Sequence, residues 1–194
     1  MNPVDREIVL WLNGLAGNVK LLDDLVRITA SDYLMPLLFS AVMFGMWFAG
    51  SAAEQRRRYQ YALLIGISSI GLSNVGVVLL NLAWDRPRPF ASLDEINLLF
   101  YRSTDPSFPA NPVAIGFAAG AAAWMVNRRL GYWLFGAALV FGFSRVYAGV
   151  FYPTDIAGGA AVGIVVTWAT TYLHRFFQPI TYLFIRLVRG LALG

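Results

Sequence analysis

The sequence predicts an all-α fold, a polytopic bundle of membrane-crossing helices, and three observations support that prediction. Of its 194 residues, 58% are hydrophobic and only 13% are charged, whereas about a quarter of an ordinary soluble domain is charged. The mean hydropathy is +0.58. Five stretches of 15 to 26 residues carry no charged side chain. Because lipid offers no hydrogen-bond partner to the backbone, segments that cross it in this chain are expected to be helical.

The five uncharged stretches predict five spans, taken in order along the chain. They are residues 33–53, 59–84, 106–127, 130–150 and 156–173. The third stretch is apolar only from about Val113, and the fourth is interrupted by Arg145. A helix of roughly 20 apolar residues is needed to cross the hydrocarbon core, and these lengths meet that need.

The two ends of the chain are too charged to span a membrane comfortably. Residues 1–32 combine apolar residues at helical spacing with interspersed charges, which predicts a helical hairpin lying in the interface or partly re-entrant. The tail, residues 176–194, is expected to extend the fifth span or to form an interfacial helix. We see no signal peptide, repeat or linker, so we predict one domain over 1–194, with the helix bundle at 33–175.

Basic residues predict the orientation of the bundle. Clusters at 56–58, 128–129 and 174–175 lie between or after alternate spans, so all three share one face. The positive-inside rule makes that face cytoplasmic and places the loops 85–112 and 149–155 outside. We expect an integral protein of the bacterial inner membrane.

Composition also excludes several classes of function. The chain has no cysteine, which removes thiol nucleophiles and zinc–thiolate sites. Its basic residues are 14 Arg and one Lys, too few and too clustered for a nucleic-acid groove. The acids of the outer loop are scattered, so we expect no metal and no cofactor.

Three arginines converge on the predicted outer face, namely Arg86, Arg88 and Arg145. Arg145 lies inside an apolar span, where an ionisable group is costly and indicates a functional site. Guanidinium groups suit oxyanions, which predicts a membrane-embedded site for a phosphate or carboxylate headgroup. Two alternatives stay open: Arg145 snorkels to the interface, or Asp85 and Asp155 neutralise the arginines in a closed network.

Around these arginines the sequence resembles the type 2 phosphatidic acid phosphatase family of membrane lipid phosphatases. That family carries Lys-x6-Arg-Pro, then Pro-Ser-Gly-His, then Ser-Arg-x5-His-x3-Asp. The present chain has Asn81-x6-Arg88-Pro89, then Pro109-Ala110-Asn111-Pro112, then Ser144-Arg145-x5-Phe151-x3-Asp155. The resemblance implies a phosphate site formed by Arg88, Arg145 and Ser144, with Asp155 beside it.

The departures from the motifs fall on the reacting groups. The family's nucleophilic histidine is replaced by Phe151 and its general-acid histidine by Pro112, and a phenyl ring or a proline can do neither task. Asn81 replaces the lysine, and Ala110 and Asn111 replace the serine and glycine. The only histidine, His174, is predicted to lie on the opposite face.

Two local arrangements follow from these replacements. Asn is a favoured N-cap and Pro a favoured first helical residue, so Asn111 is expected to cap the third span through its own amide. That arrangement would partly plug the anion cradle. Asp155, with no histidine to orient, is expected to pair with Arg145 or Arg88.

We therefore expect a catalytically inactive, lipid-phosphatase-like membrane protein that serves as a structural or assembly subunit beside other membrane subunits. A first alternative is a protein that binds or translocates a lipid phosphate through its anionic headgroup. A second is a residual phosphatase acting on phosphatidate or a polyprenyl pyrophosphate, with Asp155 or Asp105 as nucleophile. Small-x3-small patterns at 116–120 and 159–163 could mark a subunit contact but more often pack helices within one bundle.

Overall fold

The computed structural model of the protein describes residues 2–190, and these form helices joined by loops, with no strand among them. In chain order the helices are α1 Pro3–Asn13, α2 Lys20–Thr29, α3 Leu34–Phe48, α4 Ala53–Ala83, α5 Pro89–Ser92, α6 Asn111–Trp124, α7 Arg128–Tyr147, α8 Pro153–Phe176 and α9 Gln178–Gly190. The last residues of the predicted tail, 191–194, lie outside the described part of the chain. The all-α membrane fold is confirmed, while the single domain stays a prediction.

The number of spans differs from the five predicted. Within residues 2–190, three helices are long and apolar enough to cross a membrane, namely α4, α7 and α8. The pair α2 and α3, bent by 46°, makes a fourth if it crosses as one broken span. The first predicted span was wrong as a single helix, because α3 has only 15 residues and begins after a bend at the end of α2.

Helix α6 occupies the middle of the bundle, packed against α4, α7 and α8. It has 14 residues, so it is only about 21 Å long and shorter than the hydrocarbon core. Nine of those residues are buried, nearly all of them Ala or Gly. Small side chains allow helices to approach closely, so α6 is enclosed by protein where the sequence predicted a full span.

The N-terminal helices pack on the end of the bundle that carries the loops 85–112 and 149–155. In α1 the residues Asp5, Val9 and Asn13 recur every four positions and are all buried. The Asn13 side chain donates hydrogen bonds to the carbonyl oxygens of Asn97 at 2.9 Å and Tyr147 at 2.8 Å. The hairpin predicted for 1–32 is therefore fixed to the bundle, and α2 continues into α3 through the bend.

The opposite end of the bundle gathers the three basic clusters. The Asn127 amide donates to the Tyr59 hydroxyl at 3.4 Å, and the rings of Tyr61 and His174 lie 6.1 Å apart, edge to face. The start of α4, the end of α6 and the end of α8 therefore meet at one end. Of the two alternatives for the tail, the structure has a separate helix, α9, whose Tyr182 ring stacks on Tyr61.

Candidate functional site

A pocket of about 290 Å³ opens at the end of the bundle opposite the basic clusters. Helices α4, α6 and α7 and the loop between α5 and α6 contribute to its walls. Seven positions matched to the three motifs line it: Asn81, Arg88, Pro109, Asn111, Pro112, Arg145 and Phe151. The structure thus brings together residues up to 70 positions apart that the sequence predicted to share one site.

Arg88 lies at the start of the short helix α5, and its side chain is only 5% exposed. Its guanidinium donates to the backbone carbonyl of Asp105 at 2.9 Å and to the Asp105 carboxylate at 2.8 Å. It also lies over the Phe151 ring, 4.5 Å from the centroid. Burial lowers the pKa of Arg88 and the Asp105 carboxylate partly offsets that effect, so the group remains a cation.

Arg145 projects from α7 into the same pocket, also with only 5% of its side chain exposed. It forms an ion pair with Asp32, which lies in the bend between α2 and α3. Its guanidinium is held between the rings of Phe100 and Phe141, 4.9 Å from each centroid. The Nε–H group of Arg145 is buried and has no acceptor among the described residues.

Neither acid that neutralises these arginines was singled out as a partner in the sequence analysis. Asp32 and Asp105 both line the pocket, whereas Asp85 forms no ion pair within the part of the chain described. Asp32 lies outside every motif, in a bend that the hydropathy pattern did not reveal. Asp105 was named only as a possible nucleophile, and no spacing rule linked it to Arg88.

Asp155 does not pair with Arg145 or Arg88, and that prediction was wrong. Its side chain is fully buried, with one oxygen accepting from the Tyr152 backbone N–H at 2.8 Å and the other from Arg86 at 2.6 Å. The physical reason is helix capping: Asp155 occupies the first turn of α8 and turns back onto the residue before it.

Ser144 likewise does not line the pocket. Its hydroxyl shares a hydrogen bond of 2.7 Å with Thr29 of α2 and donates to the Val140 carbonyl at 2.8 Å. Consecutive residues of an α-helix point about 100° apart, so Arg145 can face the pocket while Ser144 faces α2.

A comparison with protein families identifies the family of the chain that forms this pocket. The model of the PAP2 superfamily matches residues 62–179, more than half of the chain, and the match includes every motif position described above. The chain belongs to the PAP2 superfamily.

Two curated PAP2-like relatives match most of the chain. The undecaprenyl-diphosphatase BcrC of Bacillus subtilis is 25% identical over 188 residues, which covers 97% of this chain and 93% of that protein. The bacitracin transport permease protein BcrC of Bacillus licheniformis is 26% identical over 175 residues, covering 88% and 83%.

Two solved structures agree in fold. Aquifex aeolicus LpxE superimposes with a TM-score of 0.66 at 26% identity, covering 86% of this chain and 93% of that one. The PAP2-type phosphatidylglycerolphosphate phosphatase of Bacillus subtilis gives a TM-score of 0.61, covering 89% and 85%. Its identity of 19% supports the shared fold alone.

The second PAP2 motif differs from the predicted geometry. The N-cap of α6 is Ala110, whose carbonyl accepts from the Ala114 N–H at 3.1 Å, and its side chain makes no capping bond. Asn111 is already the first helical residue, so the prediction that it caps the helix was wrong. Its Oδ1 atom is buried without a donor among the described residues.

Asn81, at the position of the PAP2 lysine, has the same property. Its Oδ1 atom is buried and accepts no hydrogen bond within residues 2–190. An unsatisfied buried acceptor costs about 1–3 kcal/mol. Residues of the pocket wall therefore include two amide oxygens without a donor and, at Arg145, one N–H without an acceptor, and all three atoms are shielded from solvent.

No imidazole reaches this PAP2 pocket. His174 lies nineteen residues after Asp155 in the same helix, about 28 Å away at 1.5 Å per residue. Its Nε2 atom is 3.2 Å from the Ser68 hydroxyl, on the side of the basic clusters. Within residues 2–190, no group of three or more His, Cys, Asp or Glu side chains is placed to hold a metal ion.

Proposed function

We propose that the protein is a catalytically inactive PAP2 member that binds a phosphate-bearing lipid headgroup without cleaving it. One observation carries the proposal: the pocket keeps both motif arginines, but at the nucleophile's position the Phe151 ring lies 4.5 Å beneath the Arg88 guanidinium. A phenyl ring has no lone pair with which to attack phosphorus. Pro112, at the position of the general acid, has no proton to donate.

The binding part of the proposal rests on the unsatisfied Nε–H of Arg145. A buried guanidinium N–H without an acceptor carries a free-energy cost, which a phosphate oxygen would remove when the pocket wall shifts to admit the ligand. One of the similar proteins, the undecaprenyl-diphosphatase BcrC, is named for acting on a phosphorylated lipid, undecaprenyl diphosphate. That chemistry supports a lipid phosphate as the ligand class.

The geometry gives little support to a residual phosphatase. Both oxygens of Asp155 are already engaged, and Asp155 is not part of the pocket wall. Asp105 does line the pocket, but its carboxylate pairs with Arg88. A carboxylate held by the phosphate-binding arginine competes with the substrate for that arginine and is poorly placed to attack it.

The assembly-subunit hypothesis stays a prediction. Its main sequence support was the loss of the reacting groups, and the small-residue patterns add nothing to it. A Cβ added at Gly159 would lie 2.4 Å from the Ala110 backbone oxygen, and one added at Gly163 would lie 2.4 Å from the Ala114 oxygen. These glycines therefore serve packing inside this chain. Co-purification of a stoichiometric partner in mild detergent would restore the hypothesis.

We also propose that the pocket faces the outside of a bacterial inner membrane. The gathering of the basic clusters at the opposite end of the bundle supports this orientation through the positive-inside rule.

The proposal is tested by lipid binding to the purified protein. Native mass spectrometry should detect a retained phospholipid, and Arg145→Gln should lose most of it because the headgroup loses its charged donor. Arg102→Ala, an exposed arginine of the loop before α6 that does not line the pocket, is the matched control. Lipid retention that is equal in wild type and Arg145→Gln would contradict the proposal.

A further inference from the structure

We propose that the pocket selects a zwitterionic headgroup, a phosphate joined to a primary ammonium, as in phosphatidylethanolamine. This inference rests on the proposed function and deepens it by naming the ligand's second charged group. It starts from the two carboxylates, Asp32 and Asp105, that line the pocket together with Arg88 and Arg145.

The charges of the pocket sum to zero, since two guanidinium groups face two carboxylates. A purely anionic ligand such as phosphatidate would take the arginines and leave both carboxylates without a counter-ion beside it. A zwitterionic ligand allows an exchange of partners. Its phosphate takes the guanidinium groups, its ammonium takes the released carboxylates, and the pocket stays neutral.

The acids are placed for such an exchange. The side chains of Arg88 and Arg145 are each 5% exposed, whereas those of Asp105 and Asp32 are 61% and 45% exposed. The arginines are therefore fixed in the wall of the pocket, and the carboxylates stand at its rim on a loop and a bend. A carboxylate at the rim can turn from a guanidinium to a ligand cation without disturbing a helix.

The unsatisfied amides provide a second, independent observation. The Oδ1 atoms of Asn81 and Asn111 are buried acceptors without donors among the described residues. A phosphate that carries no proton cannot satisfy them, because it offers only acceptors. A primary ammonium carries three N–H donors, and it reaches these shielded oxygens when the side chains of the pocket wall shift to admit the ligand. Asn81 occupies the position where the PAP2 motif has a lysine. At this position of the site, the chain therefore has a hydrogen-bond acceptor in place of a cation.

The same observation separates two zwitterionic headgroups of equal charge. Phosphatidylcholine carries a quaternary ammonium, which has no N–H to donate. If the amide oxygens and rim carboxylates accept hydrogen bonds from the ligand, phosphatidylethanolamine should bind more tightly than phosphatidylcholine. If charge balance alone decides, the two should bind alike.

The experiment compares three lipids with identical acyl chains on the delipidated wild-type protein, by native mass spectrometry or titration in detergent. The lipids are phosphatidylethanolamine, phosphatidylcholine and phosphatidate. We expect phosphatidylethanolamine to bind at least tenfold more tightly than either of the others. Phosphatidate binding equally well or better would overturn this inference and leave the proposed function standing, whereas no binding of any lipid would overturn both.

Two variants and one control sharpen the comparison. Asp32→Asn combined with Asp105→Asn should reduce the preference for phosphatidylethanolamine over phosphatidate at least tenfold, because the pocket becomes cationic. Asp94→Asn, an exposed acid of the same loop outside the pocket, should leave the preference unchanged. An unchanged preference in a folded double variant would overturn the inference, and the wild-type ranking decides it if that variant does not fold.

Soluble O-phosphoethanolamine distinguishes the lipid from the free headgroup. We expect it to compete only at concentrations far above those of the lipid, since it lacks the acyl chains that bury apolar area on the bundle. If O-phosphoethanolamine competes at the same concentration as the lipid, the headgroup chemistry stands but the ligand need not be a lipid, and the lipid part of the inference is overturned.

Discussion

Arg86 joins three separate segments of the chain at one buried point. It forms ion pairs with Asp5 of α1 at 2.7 Å and Asp155 of α8 at 2.6 Å, and those carboxylates are 3% and 0% exposed. Its guanidinium also lies over the Tyr152 ring, 4.1 Å from the centroid. The sequence singled out Arg86 as a candidate headgroup ligand, but the structure assigns it to holding α1 against α8.

Replacing Arg86 should therefore lower stability more than binding. Arg86→Ala leaves two buried carboxylates without a counter-ion, and removing one partner of a buried pair costs about 3–5 kcal/mol. Arg6→Ala is the control, because its pair with Glu95 is 50% and 60% exposed and such pairs contribute about 1 kcal/mol or less. Thermal unfolding in detergent measures both, and equal melting temperatures for the two variants would refute this role.

Asp5 makes the stability contributed by the ion pairs of Arg86 depend on pH. Burial by itself raises the pKa of Asp5, but hydrogen bonds from Thr154 and Arg86 outweigh burial and hold the pKa below its usual 3.8. A carboxyl whose pKa is lowered on folding stabilises the fold fully above its unfolded pKa, and that contribution is lost as the pH falls through the folded pKa.

We expect the difference in stability between wild type and Asp5→Asn to shrink at acidic pH. Asp5→Asn should be less stable than wild type by about 1.5–3 kcal/mol above pH 5 or so, the range for hydrogen bonds to charged groups. As the pH falls below 3.8 the gap between the two melting curves should begin to shrink, and it closes as the pH passes through the lower folded pKa, where wild-type Asp5 becomes protonated. Unfolding at pH 3 and pH 7 measures this, and a gap that stays constant would mean that Asp5 does not act through its charge.

Much of the candidate site could be predicted from single residues and their spacing. The part that could not shows which contacts a sequence motif does not encode. The convergence of Arg88, Arg145 and Phe151 follows from ordered spacing and alternate spans. The acids opposite them could not be predicted, because Asp32 and Asp105 lie on a bend and a loop whose paths depend on tertiary packing. The directions of Ser144 and Asp155 were wrong for a local reason, since helix phase and capping decide where a side chain points.

At the scale of the helices, the close contact between α6 and α8 depends on glycine. A Cβ added at Gly163 would lie 2.4 Å from the Ala114 carbonyl oxygen and 2.9 Å from the Phe117 Cβ. Backbone atoms cannot yield as a flexible side chain does, so the two helices approach this closely only because glycine is present. That approach positions the start of α6, where Asn111 and Pro112 enter the pocket wall.

Gly163→Ala should force α6 and α8 apart. We expect a loss of about 1–3 kcal/mol, the usual cost of overpacking a tight core. Gly136→Ala in α7 is the matched control, because nothing lies within 4 Å of its added Cβ; it should be neutral or slightly stabilising. Denaturation of both variants in one detergent measures the difference, and a Gly163→Ala protein as stable as the Gly136→Ala protein would contradict the packing described.

The helix boundaries show which spans hydropathy predicts correctly and which it does not. Uncharged stretches predicted α4, α7 and α8 well, because at least half of each of these apolar helices lies outside the protein interior, where only an apolar surrounding suits it. They failed for α6 and α3, whose apolar residues are explained partly by burial against other helices. An apolar stretch of sequence does not indicate whether lipid or other helices of the protein will surround it.

For the whole molecule, the proposed orientation in the membrane rests on the basic clusters. The chain has no cysteine, so Asp94→Cys in an outer loop and Ser51→Cys between α3 and α4 each provide a single thiol. A membrane-impermeant maleimide should label the Asp94→Cys protein in right-side-out vesicles and the Ser51→Cys protein in inside-out vesicles. The reverse pattern would place the pocket on the cytoplasmic side.

The account depends most on the absence of the histidine nucleophile beside Arg88 and Arg145, where the chain has Phe151, and phosphate release tests that directly. Purified wild-type protein, given phosphatidate or undecaprenyl diphosphate, should release phosphate at the background rate. The variant that combines Phe151→His, Pro112→His, Ala110→Ser, Asn111→Gly and Asn81→Lys should rise above that background. Wild-type turnover in the range typical of enzymes, about 1–10³ s⁻¹, would contradict the account.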